Sequence, residues 1–283
     1  MSSSRDGDTL SGVPGELVGS GGKRAVQVSV VIPALNEARN LPHVLNRIPA
    51  DVFEIIVVDG GSVDDTVAAA RRTRPGITVI RQARSGKGNA LATGFAVCRG
   101  DYVVMIDADG SMDPGEIGRF VAALEAGADY VKGSRFLAAG GSTDLTVLRR
   151  LGNRALTVLL NALYGTRCSD LCYGYNACRR CCIPAFRLPD PADPTRPSRL
   201  GDGFEIETLL TLRIVRSGLS VREVPSFESR RLSGRSNLHT FRDGSRVLAV
   251  IVRERLRRAR RRAAEGWVAD AVSGTDGGLG ATG

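Results

Sequence analysis

The chain has 283 residues, a formal net charge of +9 and a hydrophobic content of 42%, which suits one large domain or two small ones. The positive charge favours anionic partners, such as a phosphate-bearing substrate, nucleic acid or an acidic membrane surface. Aromatic residues make up only 5% of the chain, which argues against stacking of single-stranded nucleic acid, and no apolar run reaches the roughly 18 residues that a membrane-spanning helix needs.

Strand-like apolar runs alternate with helix-like segments along the first half of the chain. Strands are predicted at residues 26–33, 53–58, 77–81, 103–106 and 130–133. Asn36 is predicted to cap the first helix. The alternation predicts an α/β fold with a mostly parallel central sheet and helices on both faces. In such sheets, ligands bind beyond the carboxyl ends of the strands.

Two carboxylates follow the fourth predicted strand, in the run Asp107-Ala-Asp109-Gly110. Alternate residues of an extended chain share a face, so we expect Asp107 and Asp109 to point the same way. Two like charges at short range are unfavourable unless a cation lies between them. Mg²⁺ is typically held by one or two carboxylates together with substrate phosphates. A metal site and a solvent-exposed acidic turn both fit this short pattern.

Polar residues occur near the ends of the other predicted strands as well. Asn36 and Glu37 follow the first strand, Asp59 follows the second, and Lys87 lies in a glycine-flanked loop. Asp59 either caps the next helix or accepts hydrogen bonds from a nucleobase. Lys87 fails the Walker pattern, because Gly88 stands where Ser or Thr is required, but it can reach a diphosphate as a point charge. Because all these polar residues lie near the carboxyl ends of strands, they favour one binding site over separate surface turns.

Short motifs continue along the chain in a characteristic order and spacing. They are Val31–Glu37, Val57–Thr66, Gly86–Ala90, Asp107–Asp109, Gly133–Arg135, Asp170–Gly174, Gly203–Glu207, Glu223–Pro225 and Arg231–Ser236. Over residues 26–253 the chain resembles a family 2 glycosyltransferase of the GT-A fold, in the branch similar to polyprenyl-phosphate and dolichyl-phosphate mannosyltransferases. It departs from that pattern at Gly60 and Ser111, where relatives often have aspartate and glutamine.

The resemblance implies a role for each matching residue. The nucleoside of a nucleotide-sugar would be surrounded by Pro33, Asn36, Glu37 and Asp59. Mg²⁺ or Mn²⁺ and the diphosphate would be bound by Asp107 and Asp109, with Lys87 beside them. The sugar phosphate and the acceptor phosphate would be contacted by Arg135, Arg231 and Ser236.

The chemistry of sugar transfer sets further expectations. Cleavage of a sugar–diphosphate bond places negative charge on the leaving nucleotide, which a divalent cation and Lys87 would stabilise. A phosphate acceptor is already an oxyanion, so it needs positioning more than a base; the candidates for this role are Arg135, Arg149, Arg150 and Arg231. A hydroxyl acceptor would need a carboxylate base, with Asp202, Glu205 and Glu207 as candidates. Glu205 and Glu207 suit the start of a helix at residues 204–217 equally well.

We therefore expect an inverting glycosyltransferase that moves a hexose, mannose or glucose, from a nucleotide-diphosphate sugar to a polyprenyl phosphate. One alternative is the same fold acting on a soluble or polysaccharide hydroxyl. A second is a non-catalytic nucleotide or nucleic-acid binder, although no nucleic-acid partner is expected. Five of the six cysteines lie between residues 168 and 182 with a spacing that fits no paired zinc motif, so reduced thiols are expected.

The domain organisation is predicted from composition. Residues 1–24 and 265–283 are expected to be disordered tails, the first without the apolar segment of a secretory signal. The transferase domain is predicted at 25–245 and a basic amphipathic helix at 246–264. This helix either contacts anionic lipid headgroups or packs on the core with a solvated basic end. The expected location is the cytoplasm, at the inner face of the plasma membrane.

Overall fold

A computed structural model describes residues 25–195, 200–234 and 239–273, with side chains described as far as residue 257. The strands are β1 (Val28–Ala34), β2 (Glu54–Asp59), β3 (Thr78–Arg81), β4 (Tyr102–Met105), β5 (Tyr130–Ser134), β6 (Gly141–Ser142), β7 (Asn176–Arg179), β8 (Val221–Pro225) and β9 (Phe227–Glu228). The helices are α1 (Leu41–Arg47), α2 (Thr66–Thr73), α3 (Lys87–Val97), α4 (Ile117–Glu125), α5 (Val147–Tyr164), α6 (Ile206–Arg216) and α7 (Thr240–Ser273).

Seven strands form the central sheet in the order β3-β2-β1-β4-β7-β5-β8, and β6 pairs with β9 in a small second sheet. All neighbours in the large sheet are parallel except β7, which runs antiparallel to both β4 and β5. The predicted α/β fold with a mostly parallel sheet is confirmed. The reversed strand β7 was not predicted, because the four residues Asn-Ala-Cys-Arg show no apolar run.

The core lies on both faces of the sheet, because successive side chains of a strand point to opposite faces. Val30 and Ile32 of β1 belong to a cluster with Leu41 and Leu45 of α1. Val31, between them, belongs to the cluster on the other face with α3, α6 and α7. Burial on both faces explains why the strands of this sheet read as continuous apolar runs.

The parallel register brings the candidate site together. Ala34 at the end of β1 pairs with Asp59 at the end of β2, and Val31 pairs with Met105 of β4. The segments that follow β1, β2 and β4 therefore leave the sheet at the same edge. These segments carry the polar residues that the sequence placed after each strand.

Several element boundaries differ from the predicted ones. The prediction that Asn36 caps the first helix is wrong: α1 begins at Leu41, and Asn36 has a φ of 57° while its side-chain oxygen accepts from the Val63 N–H at 2.9 Å. Helix α3 begins at Lys87, which the sequence analysis placed in a glycine-flanked loop.

The C-terminal helix α7 is longer than the predicted 246–264 and covers the first part of the tail predicted at 265–283. Residues 1–24 and 274–283 lie outside the described residues, so the tails there stay predictions. Within the described residues, we find no helix with the length and apolar character needed to span a bilayer.

A buried ion pair holds α7 against the start of α6. The Glu205 carboxylate, fully shielded from solvent, accepts from Arg246 of α7 at 2.9 and 2.7 Å and from the Gly201 N–H at 2.7 Å. Burial alone would raise the pKa of Glu205, but the hydrogen bonds from Arg246 and Gly201 hold that pKa below its usual value. The pair therefore stabilises the fold only while Glu205 is ionised.

We predict that Glu205→Gln and Arg246→Gln each lower the free energy of unfolding by about 2 kcal/mol at pH 7, because each removes charge-assisted hydrogen bonds. A carboxyl group whose pKa is lower in the folded state stabilises above its unfolded pKa of about 4.3 and loses this effect as the pH falls through the folded pKa. The deficit, measured by urea denaturation, should shrink as the pH is lowered from 7 to 3. Asp144→Asn serves as the control, since its pair with Arg149 is partly exposed at 3.6 Å; a deficit that is independent of pH would contradict the prediction.

Candidate active site

The paired acids lie where β4 leaves the sheet, and each acid faces a different cation. The Asp107 Oδ1 atom is 2.5 Å from the Lys87 Nζ atom, and the Asp109 Oδ2 atom is 3.6 Å from the Arg231 Nε atom. Both acid side chains are partly open to solvent, with exposed fractions of 27% and 20%. The structure thus places Lys87 beside Asp107 and Arg231 beside Asp109 at this edge of the sheet.

Lys87, the first residue of α3, makes ion pairs with two carboxylates. Its Nζ atom lies 2.7 Å from the Glu207 Oε1 atom as well as 2.5 Å from Asp107. Burial alone would lower the pKa of Lys87, but the charges of Asp107 and Glu207 raise it above its usual value. Lys87 is therefore a fixed positive charge at the carboxyl end of β4.

Close backbone packing sets the position of Lys87. The Gly88 N–H donates to the Asp202 carbonyl at 2.9 Å, and a Cβ atom on Gly88 would lie 1.8 Å from the Gly201 carbonyl oxygen. Only glycine fits at position 88 without moving that backbone. Because Glu207 follows shortly after this segment, the same contact brings its carboxylate to Lys87.

Arg231 is anchored by a buried acid of the loop after β1. Its guanidinium donates to both oxygens of Glu37, at 2.7 and 3.1 Å, and Asn40 donates to Glu37 at 2.6 Å. Burial raises the pKa of Glu37, against the opposing effects of Asn40 and Arg231. The Arg231 Nε atom has no hydrogen-bond acceptor among the described residues, since 3.6 Å to Asp109 is too long for a hydrogen bond. This buried N–H therefore faces Asp109 without a hydrogen-bond acceptor.

Residues 229–234, which we call the strap, lie across the turn that carries the acids. The Ser229 N–H donates to the Ser111 carbonyl at 2.8 Å, and the Leu232 N–H donates to the Asp109 carbonyl at 3.2 Å. Gly110, with a φ of 79°, leaves room for the Leu232 side chain, which a Cβ atom would meet at 2.5 Å. The strap positions Arg231 beside Asp109. Ser236, predicted to contact phosphate, lies outside the described residues.

The predicted nucleoside end of the site is formed by the loops after β1 and β2. Asp59 is buried and accepts from the N–H groups of Gly61 and Ser62 at 3.1 and 3.2 Å. It does not cap the next helix, because the residue that precedes α2 is Asp65. The Asn36 N–H donates to the Ser62 hydroxyl at 2.9 Å. These bonds join the two loops, while Pro33 is half-buried within β1.

Two predicted catalytic residues are held elsewhere by other partners. Arg135 is 8% exposed and makes a bidentate pair with Asp170 at 2.7 and 2.9 Å and a contact with Glu228 at 3.0 Å. Glu205 is paired with Arg246, as described above. The structure brings neither residue into contact with Lys87, Asp107, Asp109 or Arg231. Their catalytic roles stay predictions, which these contacts disfavour.

The side-chain chemistry of the site fits a divalent cation. Four carboxylates and two cations form the two networks Glu207–Lys87–Asp107 and Asp109–Arg231–Glu37, so their formal charge is −2. No cluster of three or more His, Cys, Asp or Glu side chains suited to a metal occurs in the described part of the chain. Two carboxylates suit Mg²⁺ or Mn²⁺ that takes its other ligands from phosphates and water.

Comparisons with known proteins place the chain among glycosyltransferases. The family model "Glycosyl transferase family 2" matches residues 29–182. The chain is similar to the polyprenol monophosphomannose synthase of Mycolicibacterium smegmatis, with 32% identity over 238 residues that cover 78% of this chain and 86% of that protein. It is 35% identical over 170 residues to an undecaprenyl-phosphate 4-deoxy-4-formamido-L-arabinose transferase of Pseudomonas savastanoi, covering 56% of this chain and 49% of that protein.

An uncharacterized glycosyltransferase of Mycobacterium tuberculosis is 45% identical over 113 residues, which cover 40% of this chain and 50% of that relative. This match spans about half of the relative's length. Among solved structures, the chain is similar to glucosyl-3-phosphoglycerate synthase of M. tuberculosis in complex with Mn²⁺, UDP-glucose and phosphoglyceric acid. That likeness has a TM-score of 0.63 and 27% identity and covers 82% of this chain and 80% of that one.

The structural match and the mostly parallel sheet establish the GT-A fold that the sequence predicted. The family model covers just over half of the chain, and the mycolicibacterial relative is matched over most of its length. On these grounds the chain belongs to glycosyl transferase family 2.

Proposed function

We propose that the chain is an inverting glycosyltransferase that moves a hexose from a nucleotide-diphosphate sugar to a polyprenyl phosphate at the cytoplasmic face of a membrane. The observation that carries this proposal is the pair of networks Glu207–Lys87–Asp107 and Asp109–Arg231–Glu37 at the carboxyl end of β4. Their two cations suit a diphosphate, and their excess of negative charge suits a divalent cation that accompanies it.

The first task of these residues is to stabilise the leaving nucleotide. Asp107 and Asp109 would hold Mg²⁺ or Mn²⁺, which supplies Lewis-acid stabilisation of the departing diphosphate. Lys87 is already ionised and held in place, so it offers its charge without reorganisation. The Arg231 guanidinium lies beside Asp109, where its positive charge would stabilise a nearby phosphate. The buried acids Glu207 and Glu37 keep the two cations in these positions.

The second task is to position the acceptor. A phosphate acceptor attacks the anomeric carbon with an oxygen that is already anionic, so the site needs no general base. The burial of Glu205 and its bonds with Arg246 fit such an acceptor better than a hydroxyl, because that carboxylate is not free to accept a proton. Glu207 is likewise occupied by Lys87.

The identity of the acceptor is supported by two relatives, whose names specify a polyprenol and an undecaprenyl phosphate. A second candidate is a small soluble phosphate-bearing acceptor. It is favoured by the likeness to glucosyl-3-phosphoglycerate synthase, whose solved complex contains phosphoglyceric acid. Both acceptors present a phosphate, so the same site chemistry serves either one.

A direct transfer assay decides between these acceptors. Purified protein with Mn²⁺ is incubated with GDP-mannose or UDP-glucose and either undecaprenyl phosphate in detergent or 3-phosphoglycerate. We expect the sugar to appear on the lipid, detected by mass spectrometry of the extracted product. Product on phosphoglycerate alone would establish the second candidate. Failure of both acceptors with every nucleotide-sugar tested would contradict the proposed function.

We predict that Asp107→Asn and Asp109→Asn each lower kcat by at least about a hundredfold, because either change removes a carboxylate that would hold the cation on the leaving diphosphate. The matched control is Asp113→Asn in the same loop. Asp113 is 42% exposed and pairs with Arg47 outside the networks, so its activity should stay near that of the native protein. Equal losses in all three variants would refute a special role for the pair.

We also predict that Glu207→Gln raises the Mn²⁺ concentration needed for half-maximal activity. With the Glu207 charge removed, Lys87 loses one of its two anionic partners and binds Asp107 more strongly, so it competes better with the metal. The apparent metal affinity should fall about tenfold, while Glu116→Gln, away from the networks, should leave it unchanged. An unaltered metal requirement in Glu207→Gln would show that Glu207 does not tune Lys87.

A further inference from the structure

The exposed apolar side chains of this protein are concentrated on two helices. Among the described residues, α5 and α7 carry more than half of the exposed large hydrophobic side chains. On α5 they are Val147, Leu148, Leu151 and Val158, and on α7 they are Phe241, Leu248, Val252 and Leu256. Single exposed apolar residues need no explanation, but a contiguous set marks an interaction surface.

The spacing of these residues produces a stripe on each helix. At 100° per residue, Val147, Leu151 and Val158 fall within about 40° of one another on α5. By the same measure, Phe241, Leu248, Val252 and Leu256 fall within about 80° on α7. Each stripe lies opposite the buried side of its helix, which packs on the core through Leu160 on α5 and through Val247, Val250 and Ile251 on α7.

The two stripes are neighbours. The Tyr164 hydroxyl near the end of α5 donates to the Ile251 carbonyl of α7 at 2.8 Å. At the other end, Leu148 and Phe241 line one shared hollow. The helices therefore run side by side with their first turns together. We call the combined exposed surface of α5 and of α7 up to residue 257 the apolar–arginine face.

The charges on this face all have one sign. Helix α5 contains no acidic residue, and the two acids of α7 up to residue 257, Asp243 and Glu254, are buried. Asp243 accepts from the His239 N–H and lies 3.6 Å from Arg242. Glu254 pairs with Arg213, Arg216 and Arg257. The exposed charged side chains are Arg150, Arg154, Arg242, Arg253, Arg255 and Arg257. An ordinary solvated helix face carries charges of both signs. Among charged side chains, this face exposes only arginines, which favours an anionic partner.

We propose that the apolar–arginine face docks on an anionic lipid bilayer, with both apolar stripes entering the headgroup region and the arginines contacting lipid phosphates. A second copy of the chain is a poorer occupant. A two-fold interface sets the same patch against itself, so arginines would face arginines without an acidic partner. An anionic bilayer offers both an apolar layer and negative charge. A second copy of this face offers no exposed acidic side chain.

This inference rests on the proposed function only for its purpose, which is to bring the chain to a lipid-linked acceptor. A physical connection to the active site exists through α7. Arg246 of α7 binds Glu205, and the segment just before Glu205 contacts Gly88 beside Lys87. Docking through α5 and α7 would therefore hold the active-site side of the sheet at a fixed position relative to the membrane.

The test is co-sedimentation of the full chain with sucrose-loaded vesicles, either of phosphatidylcholine with phosphatidylglycerol or of phosphatidylcholine alone. We expect binding to the anionic vesicles that weakens with added salt, and little binding to the neutral ones. The double variant Leu151→Gln with Leu248→Gln should bind the anionic vesicles about tenfold more weakly. The pair Arg154→Gln with Arg242→Gln should weaken binding and reduce its salt dependence.

The matched control is Val26→Gln with Val97→Gln, which changes two exposed valines outside α5 and α7 and should bind like the native chain. Because the altered side chains are exposed, all variants should keep the native circular dichroism spectrum and melting temperature. The inference fails if anionic vesicles do not bind the chain, if the stripe variant binds as well as the control, or if that variant instead dissociates a dimer in sedimentation velocity. Transfer to detergent-dispersed undecaprenyl phosphate without vesicle binding would overturn the docking surface and leave the proposed function standing.

Discussion

The site depends on the neutralisation of two carboxylates that one strand delivers to the same edge of the sheet. Asp107 and Asp109 are separated by a single residue, and like charges at that spacing destabilise a fold unless cations accompany them. Lys87 and Arg231 supply those cations, and each is itself held by a further buried acid, Glu207 or Glu37. Each acid of the pair faces a cation, and the two networks together keep a formal charge of −2, which one divalent cation would neutralise.

The fold explains how these charges meet. The parallel register of β1, β2 and β4 places the loops after them at one edge. The cations then arrive from segments that lie outside those loops: the first residue of α3 provides Lys87, and the strap provides Arg231. Close backbone contacts fix both, through Gly88 against the Gly201 carbonyl and through Gly110 beneath Leu232. Gly88 and Gly110 thus help to position the charged side chains of the site.

The sequence was sufficient for the fold class and the family, because apolar runs and short motifs are local signals. It did not reveal which charges pair. Lys87 and Glu207 are separated by 120 residues, and Glu37 and Arg231 by 194, and no periodicity links such distant positions. A buried lysine requires a carboxylate partner, and this requirement is the one signal in the sequence that points to an acid such as Glu207 beside Lys87.

Other differences have similar physical causes. Arg135 resembled a phosphate ligand by its motif, yet Asp170 satisfies its guanidinium, and that partnership appears only once β5 and the segment before β7 pack together. Asn36 resembled a helix cap, but its left-handed backbone turns its side chain to the loop after β2. The strand β7 is held by neighbours on both sides, so pairing compensates for a sequence with little strand character of its own.

The central claim is that the acids form a cation site completed by the diphosphate of the donor. It is tested most directly by the electron paramagnetic resonance signal of Mn²⁺ titrated with the protein, with and without UDP or GDP. We expect the protein alone to deplete free Mn²⁺ only weakly. With one nucleoside diphosphate present, the protein should deplete free Mn²⁺ strongly, by more than the nucleotide binds by itself. Equal depletion with and without protein at every nucleotide tested would contradict it.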